Sequence, residues 1–229
     1  MPTMDFSERD VKGRQQAKRT RTILYLAAAL FIVAIIVLII IICLELLVFK
    51  KSCMPEQKMK IAKKEFGRTA SGTTVYKFTM SNEKGMEVDF ITLGGILTAI
   101  RVPYKTSGTT DVILGLDNLS DYEKDHPYYG ALVGRYANRI ANGTFQLDGV
   151  QYKLTINNGP NSLHGGTKGW SMKVWEYEER PDAVVLSLTS PDNDEGYPGE
   201  VKAMVTYRLT EDNELIIDFQ AETKIKPPQ

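Results

Sequence analysis

Cysteine is nearly absent. The 229 residues hold two, Cys43 and Cys53, and neither lies beyond residue 60. The remainder of the chain therefore has no disulfide framework and no thiol for metal binding or catalysis. Clusters of Lys and Arg are missing from the same stretch. The overall charge balances at 28 basic and 28 acidic residues, but ten basic and five acidic residues fall in positions 1–60, leaving 18 basic against 23 acidic beyond them, a net of −5. That sign argues against nucleic acid as a partner. Internal repeats are absent, and no stretch after residue 70 reads as an amphipathic helix of ten or more residues. "SPDNDEGYPGE" gathers Asp192, Asp194 and Glu195 but has Gly196 where a calcium loop needs an acid or an amide, so it reads as a solvated loop without metal.

One long apolar run is present. From Ile23 to Ile42 there are twenty consecutive apolar or aromatic residues. As a helix rising 1.5 Å per residue, such a run matches a hydrocarbon core of about 30 Å. It is too long for the apolar core of a cleavable signal peptide, and no small-residue cleavage site follows it. The expectation is a retained anchor in contact with membrane lipid, with Glu45 at the headgroups. Six basic residues precede the run (Arg9, Lys12, Arg14, Lys18, Arg19 and Arg21) and six follow it (Lys50, Lys51, Lys58, Lys60, Lys63 and Lys64). The charge rule is tied; the short basic tail favours a type II protein with its domain luminal or extracellular. Sequons at Asn118 and Asn142 are compatible with that side, and Cys43 or Cys53 is open to palmitoylation or an interchain disulfide.

Beyond residue 61 the apolar pattern has a period of two. Phe145 and Leu147, then Val150, Tyr152 and Leu154, alternate around Asp148-Gly149, a pair suited to the positive φ angles of a type I′ hairpin. Val201, Ala203, Val205, Tyr207 and Leu209 alternate before the turn "TEDNE", and Leu215, Ile217, Phe219 and Ala221 alternate after it. "TTVYKFT", "MEVDFIT", "KVWEYEE" and "DAVVLSLT" read as further strands. Many short strands separated by turns predict an all-β sandwich or barrel-like domain.

One of the two histidines, His164, stands in "NNGPNSLHGG", preceded by turn-formers and followed by Gly165 and Gly166. On the residues alone this is a polar surface turn or an imidazole held toward a ligand. Arg135 and Arg139 lie in the glycine-punctuated "GRYANRIANGTF". They suit recognition of hydroxyls or anions, because a guanidinium offers five donors in a planar fork, and they equally suit surface salt bridges. Trp170 and Trp175 offer a flat face to a sugar ring or fill the core, with core filling favoured.

Taken together, "GRYANRIANGTFQLDGVQYKLTINNGPNSLHGG", "GW…KVWE" and "SPDNDEGYPGEV" closely resemble the aldose 1-epimerases, also called galactose mutarotases, over about residues 66–223. The resemblance implies an antiparallel β-sandwich of the galactose mutarotase type, acting on free hexoses such as galactose and glucose without metal or cofactor. It implies that Asn138 and Arg139 bind sugar hydroxyls and that His164, the candidate catalytic residue, reaches the ring-oxygen side of the substrate. The glycines after His164 would leave room for the sugar. His126 matches no functional motif and reads as a loop residue.

In that family the main acid is a second histidine in an Asn-His-x-Tyr-Phe-type motif soon after the segment matching "FQAET", and the base is a glutamate further on. Here the chain diverges at Lys224 and reads "KIKPPQ". The resulting expectation is a basic tail over 1–22, a transmembrane signal-anchor helix over 23–49, a linker over 50–65 and a truncated mutarotase sandwich over 66–229. A shortened transcript, an incomplete gene model and a non-catalytic membrane-anchored module that binds carbohydrate or a partner all remain open, as do the preferred hexose and the oligomeric state.

Overall fold

The structure, a computed structural model, describes residues 18, 19, 21, 24–26, 30–33, 35–45, 59–124 and 127–224. The chain divides into two units, Met1–Glu56 and Gln57–Gln229. In the first, helix α1 (Leu24–Glu45) has 22 residues and is long and apolar enough to cross a membrane. Cys43 in it is free and exposed. The expected helical extension to residue 49, Cys53 and His126 lie outside the described residues.

The second unit is built almost entirely of antiparallel strands. β1 (Lys60–Arg68), β2 (Thr74–Ser81), β3 (Glu87–Ile91), β4 (Leu97–Pro103) and β5 (Thr109–Asp111) form a five-stranded meander in chain order. β1 begins inside the segment expected to be linker. It carries few apolar residues and is mostly exposed, as befits a lysine-rich edge strand.

Two short ribbons follow helix α2 (Leu119–Tyr122): β6 (Arg139–Ile140) pairs with β9 (Ser162–Leu163), and β7 (Thr144–Leu147) with β8 (Val150–Lys153). The β7–β8 turn is the expected one, with φ of 52° at Asp148 and 78° at Gly149. β10 (Glu176–Arg180), β11 (Ala183–Ser190), β12 (Glu200–Leu209) and β13 (Leu215–Lys224) complete a four-stranded second sheet.

Period-two alternation explains how the sheets meet. In β2 and β3, Phe78, Met80, Val88 and Phe90 face Val184, Leu186, Val205 and Tyr207 of the second sheet in one buried cluster. Phe90 stacks on Tyr207 with ring centroids 4.5 Å apart, and the Tyr207 hydroxyl donates to the Gly95 carbonyl at 2.7 Å. Burial raises the phenol's pKa.

The opposite face of the first sheet is covered too. Val75, Ile91, Leu93 and Ile96 pack with Leu119 and Tyr122. On that face Asp89, 3% exposed, is held by Lys77 at 2.6 Å, Arg101 at 3.0 Å and the Thr79 hydroxyl at 2.7 Å. A sandwich of this kind places its loops and small ribbons at the sheet ends, and the candidate site lies among them.

Candidate functional site

The site starts from the two-residue ladder of β6 and β9, in which Arg139 pairs with Leu163 and Ile140 with Ser162. One residue beyond the Arg139–Leu163 end of that ladder, Asn138 meets His164. The His164 amide donates to the Asn138 carbonyl at 3.0 Å, and the Asn138 amide donates to His164 Nδ1 at 3.0 Å. Both residues occupy the left-handed region, with φ of 64° at Asn138 and 51° at His164. For a non-glycine residue that conformation is uncommon and is concentrated at functional sites.

Side-chain amides from the turn before β9 extend the ribbon. Asn157 Nδ2 donates to the Leu163 carbonyl at 2.9 Å, and the Leu163 amide donates to Asn157 Oδ1 at 2.6 Å. Asn157 thus bonds β9 as a neighbouring strand would. Asn158 Oδ1 accepts from Arg139 Nε at 2.9 Å, and Asn138 Oδ1 accepts from Arg139 Nη1 at 3.2 Å. Two of the five guanidinium N–H groups are thereby committed, and among the described residues the rest stay open on an exposed side chain. Asn138, Arg139 and His164 therefore form one connected cluster.

The environment of His164 favours its neutral form. Burial, and then the Arg139 guanidinium, hold its pKa below the ordinary imidazole value. The Tyr128 ring lies 4.6 Å from it, centroid to centroid, tilted by 58°. No carboxylate bonds the imidazole among the described residues.

Arg135 behaves quite differently from Arg139. Its Nε donates to Ser190 Oγ at 2.9 Å, Nη1 to the Pro198 carbonyl at 2.9 Å, and Nη2 to the carbonyls of Ser190 and Pro191 at 2.9 and 2.6 Å. Neither arginine forms a salt bridge among the described residues; both bond neutral oxygens. Burial lowers the pKa of Arg135, with Asp194 and Asp192 opposing the shift.

The acidic loop is not the solvated segment expected from its composition. Asp194 binds Lys173 and the Ser190 hydroxyl, each at 2.5 Å. The Glu195 carboxylate accepts from the amides of Thr167 and Lys168, both at 3.0 Å. These acids are structural clamps because the loop folds back onto amides and cations that are distant in sequence.

The two glycines after His164 let the backbone turn, with φ of 88° and 104°, and the room they leave is filled from within the domain. A Cβ on Gly165 would lie 1.7 Å from the Gly134 carbonyl oxygen, and one on Gly166 would lie 2.2 Å from the Glu195 carboxylate. The space beside them is taken up by the protein itself.

Trp175 fills the core at 1% exposure. Trp170 packs against it edge-on, and its ring occupies the place where a Cβ on Gly134 would stand. On the Arg139 side the cluster borders a cavity of about 530 Å³ lined by Arg135, Tyr136, Arg139, Ile140, Phe145 and Tyr197. His164 and Asn138 do not line it. Among the described residues no group of three or more His, Cys, Asp or Glu side chains is arranged to hold a metal.

The sequence profile of the aldose 1-epimerases matches residues 76–227. A galactose mutarotase from Sus scrofa is 44% identical over 171 residues, which cover 74% of this chain and 49% of that protein. The aldose 1-epimerase of Escherichia coli is 38% identical over 144 residues, 62% of this chain and 42% of that one. Among solved structures, a GalM/aldose epimerase homologue from C. elegans superposes with a TM-score of 0.61 at 33% identity, covering 72% of this chain and 46% of that one. The chain spans about half the length of the curated relatives it matches.

Proposed function

The chain belongs to the aldose 1-epimerase family, and from that premise we propose that it binds free hexoses such as galactose and glucose for interconversion of their α and β anomers. The reaction needs a base to take the proton of the C1 hydroxyl and an acid to protonate the ring oxygen. The ring opens to the aldehyde, the C1–C2 bond rotates, and the ring recloses on the other face of the carbonyl. In this reading the open N–H groups of Arg139 and the side-chain amide of Asn138 hold sugar hydroxyls, and His164 donates a hydrogen bond to the ring oxygen. The observation that carries it is the single hydrogen-bonded cluster of Asn138, Arg139 and His164.

Proton transfer at two positioned groups contributes about 10²–10⁴-fold each. With one imidazole in the cluster and no carboxylate bonded to it among the described residues, the 229 residues alone are expected to anchor hexose and turn it over slowly. That same feature favours a second reading, a non-catalytic carbohydrate-binding module. Polarimetry on freshly dissolved α-D-galactose, beside a calorimetric galactose titration, tests both. Saturable binding weakened about tenfold by Arg139→Lys, through loss of the planar fork, supports the hexose site. Absence of saturable binding removes both readings. A clear acceleration surviving His164→Ala moves the chemistry elsewhere.

Helix α1 supports a single-pass anchor, and the short basic tail before it supports a type II arrangement with the sandwich luminal or extracellular. Resistance to carbonate extraction is the expected behaviour. Glycan on the exposed Asn118 or Asn142 would fix the side.

A further inference from the structure

We propose that His164 is locked as the Nε2–H tautomer by the Asn138 backbone amide and that Tyr128 is a positioning residue that keeps the ring in that lock. The inference deepens the hexose-site reading, and its main arm stands without it. A backbone N–H can only donate, so the 3.0 Å contact from Asn138 obliges Nδ1 to be the acceptor. A neutral imidazole with an acceptor at Nδ1 carries its proton at Nε2. The outer nitrogen is then a hydrogen-bond donor and offers no lone pair in the ring plane. It complements an acceptor, such as an ether oxygen, and does not serve as the base that strips a hydroxyl.

What keeps the ring there is not the ladder alone. The second Asn138–His164 bond, amide to carbonyl, fixes the backbone on both sides of the ring. It does not stop rotation about the side-chain bonds. The Tyr128 ring, 4.6 Å away and tilted, lies against the imidazole. Tyr128 is itself left-handed, with φ of 61°. A bulky side chain in that region is a marked outlier, held only where its surroundings demand it. The three left-handed residues therefore converge on one imidazole. Among the described residues the charged group that shifts the ring is the Arg139 guanidinium, whose charge favours the neutral form. In the adjoining loop the Glu195 carboxylate is occupied by the Thr167 and Lys168 amides.

The test is a two-bond ¹H–¹⁵N correlation of the imidazole nitrogens in the full 229-residue chain in detergent, with His126→Asn used to assign the two histidines. The expected result at neutral pH is one unprotonated Nδ1 and one protonated Nε2 line for His164. A protonated Nδ1, a doubly protonated ring or two averaged lines would overturn the lock. For Tyr128, the separate lines should persist in Tyr128→Phe and merge in Tyr128→Leu. Neither replacement changes the backbone penalty at that position, because both add an L side chain. Unchanged lines in Tyr128→Leu overturn the positioning role. Should that variant unfold, the wild-type cross-relaxation between the two rings decides the same point, and its absence overturns the role. Intact lines in a protein that binds no galactose would sink the hexose reading and leave the tautomer assignment standing.

Discussion

In the sandwich, Phe90 stacks on Tyr207 between two sheets and is fully buried; in the β6–β9 ribbon, Asn138 is exposed and held by hydrogen bonds to its neighbours. The first region is stabilised by apolar area removed from water, a force that is non-directional and tolerates small shifts. The second has a ladder of two residues, so its shape depends on the side-chain amides of Asn157 and Asn158 and on left-handed backbone. Directional contacts of that kind set positions to tenths of an ångström but contribute little net stability each. The domain thus separates what keeps it folded from what aims its polar groups.

Breaking the sandwich should have the largest effect. Phe90→Ala is expected to cost about 3–5 kcal/mol, a large part of an ordinary domain's stability, read as a lowered denaturation midpoint. A loss below about 1 kcal/mol would mean that the two sheets are not joined through this ring. Next comes Arg135, which has a side chain in the site loop but bonds only the 190–198 segment. Arg135→Ala removes four hydrogen bonds and leaves carbonyls unpaired, so about 3 kcal/mol is expected from it. Arg139→Lys should stay within about 0.5 kcal/mol of wild type in the same assay. Equal destabilisation by the two would erase the distinction between the scaffold arginine and the exposed one.

A smaller effect is expected from acid. Burial raises the pKa of Asp89, but hydrogen bonds from Lys77, Thr79 and Arg101 outweigh it, and the carboxyl ends below its ordinary value. A depressed carboxyl contributes stability that is complete above its unfolded value, about 3.9, and is lost as pH falls through the folded value. Wild type should therefore lose stability on acidification below about pH 4. Asp89→Asn should start about 2 kcal/mol lower at neutral pH, because it leaves Lys77 without its anion and Arg101 with Glu87 alone, and should vary less with pH. Parallel curves for the two proteins would remove Asp89 from the acid response.

The sandwich was the more legible region. Strands β7, β8, β12 and β13 announce themselves by strict alternation, and Asp148-Gly149 specifies its turn through positive φ. β1 does not, because an exposed edge strand has no buried face to impose a period. The stretch "KVWEYEE" reads as one strand, yet β10 starts only at Glu176, since Val174 and Trp175 pair with Leu93 and Thr92 and not with β11. In the ribbon, family resemblance alone singles out Asn138, Arg139 and His164, which the fold brings into one hydrogen-bonded cluster. Tyr128 is not singled out, because no local pattern links it to a histidine far along the chain. Glu195 was misread because an acid in a Gly- and Pro-rich stretch looks solvated until distant amides fold against it.

The left-handed backbone at Asn138 and His164 has a consequence for selection experiments. Glycine relaxes such a position, asparagine and aspartate tolerate it, and most other residues pay for it. If position 164 is randomised and survivors are chosen for folding alone, Gly and Asn should be enriched at the expense of His. Choosing the same library for ligand binding should return His, so the two screens rank one codon in opposite orders. Alanine, the usual probe, keeps the backbone penalty while deleting the ring and so mixes the two effects. At this position glycine is the cleaner deletion.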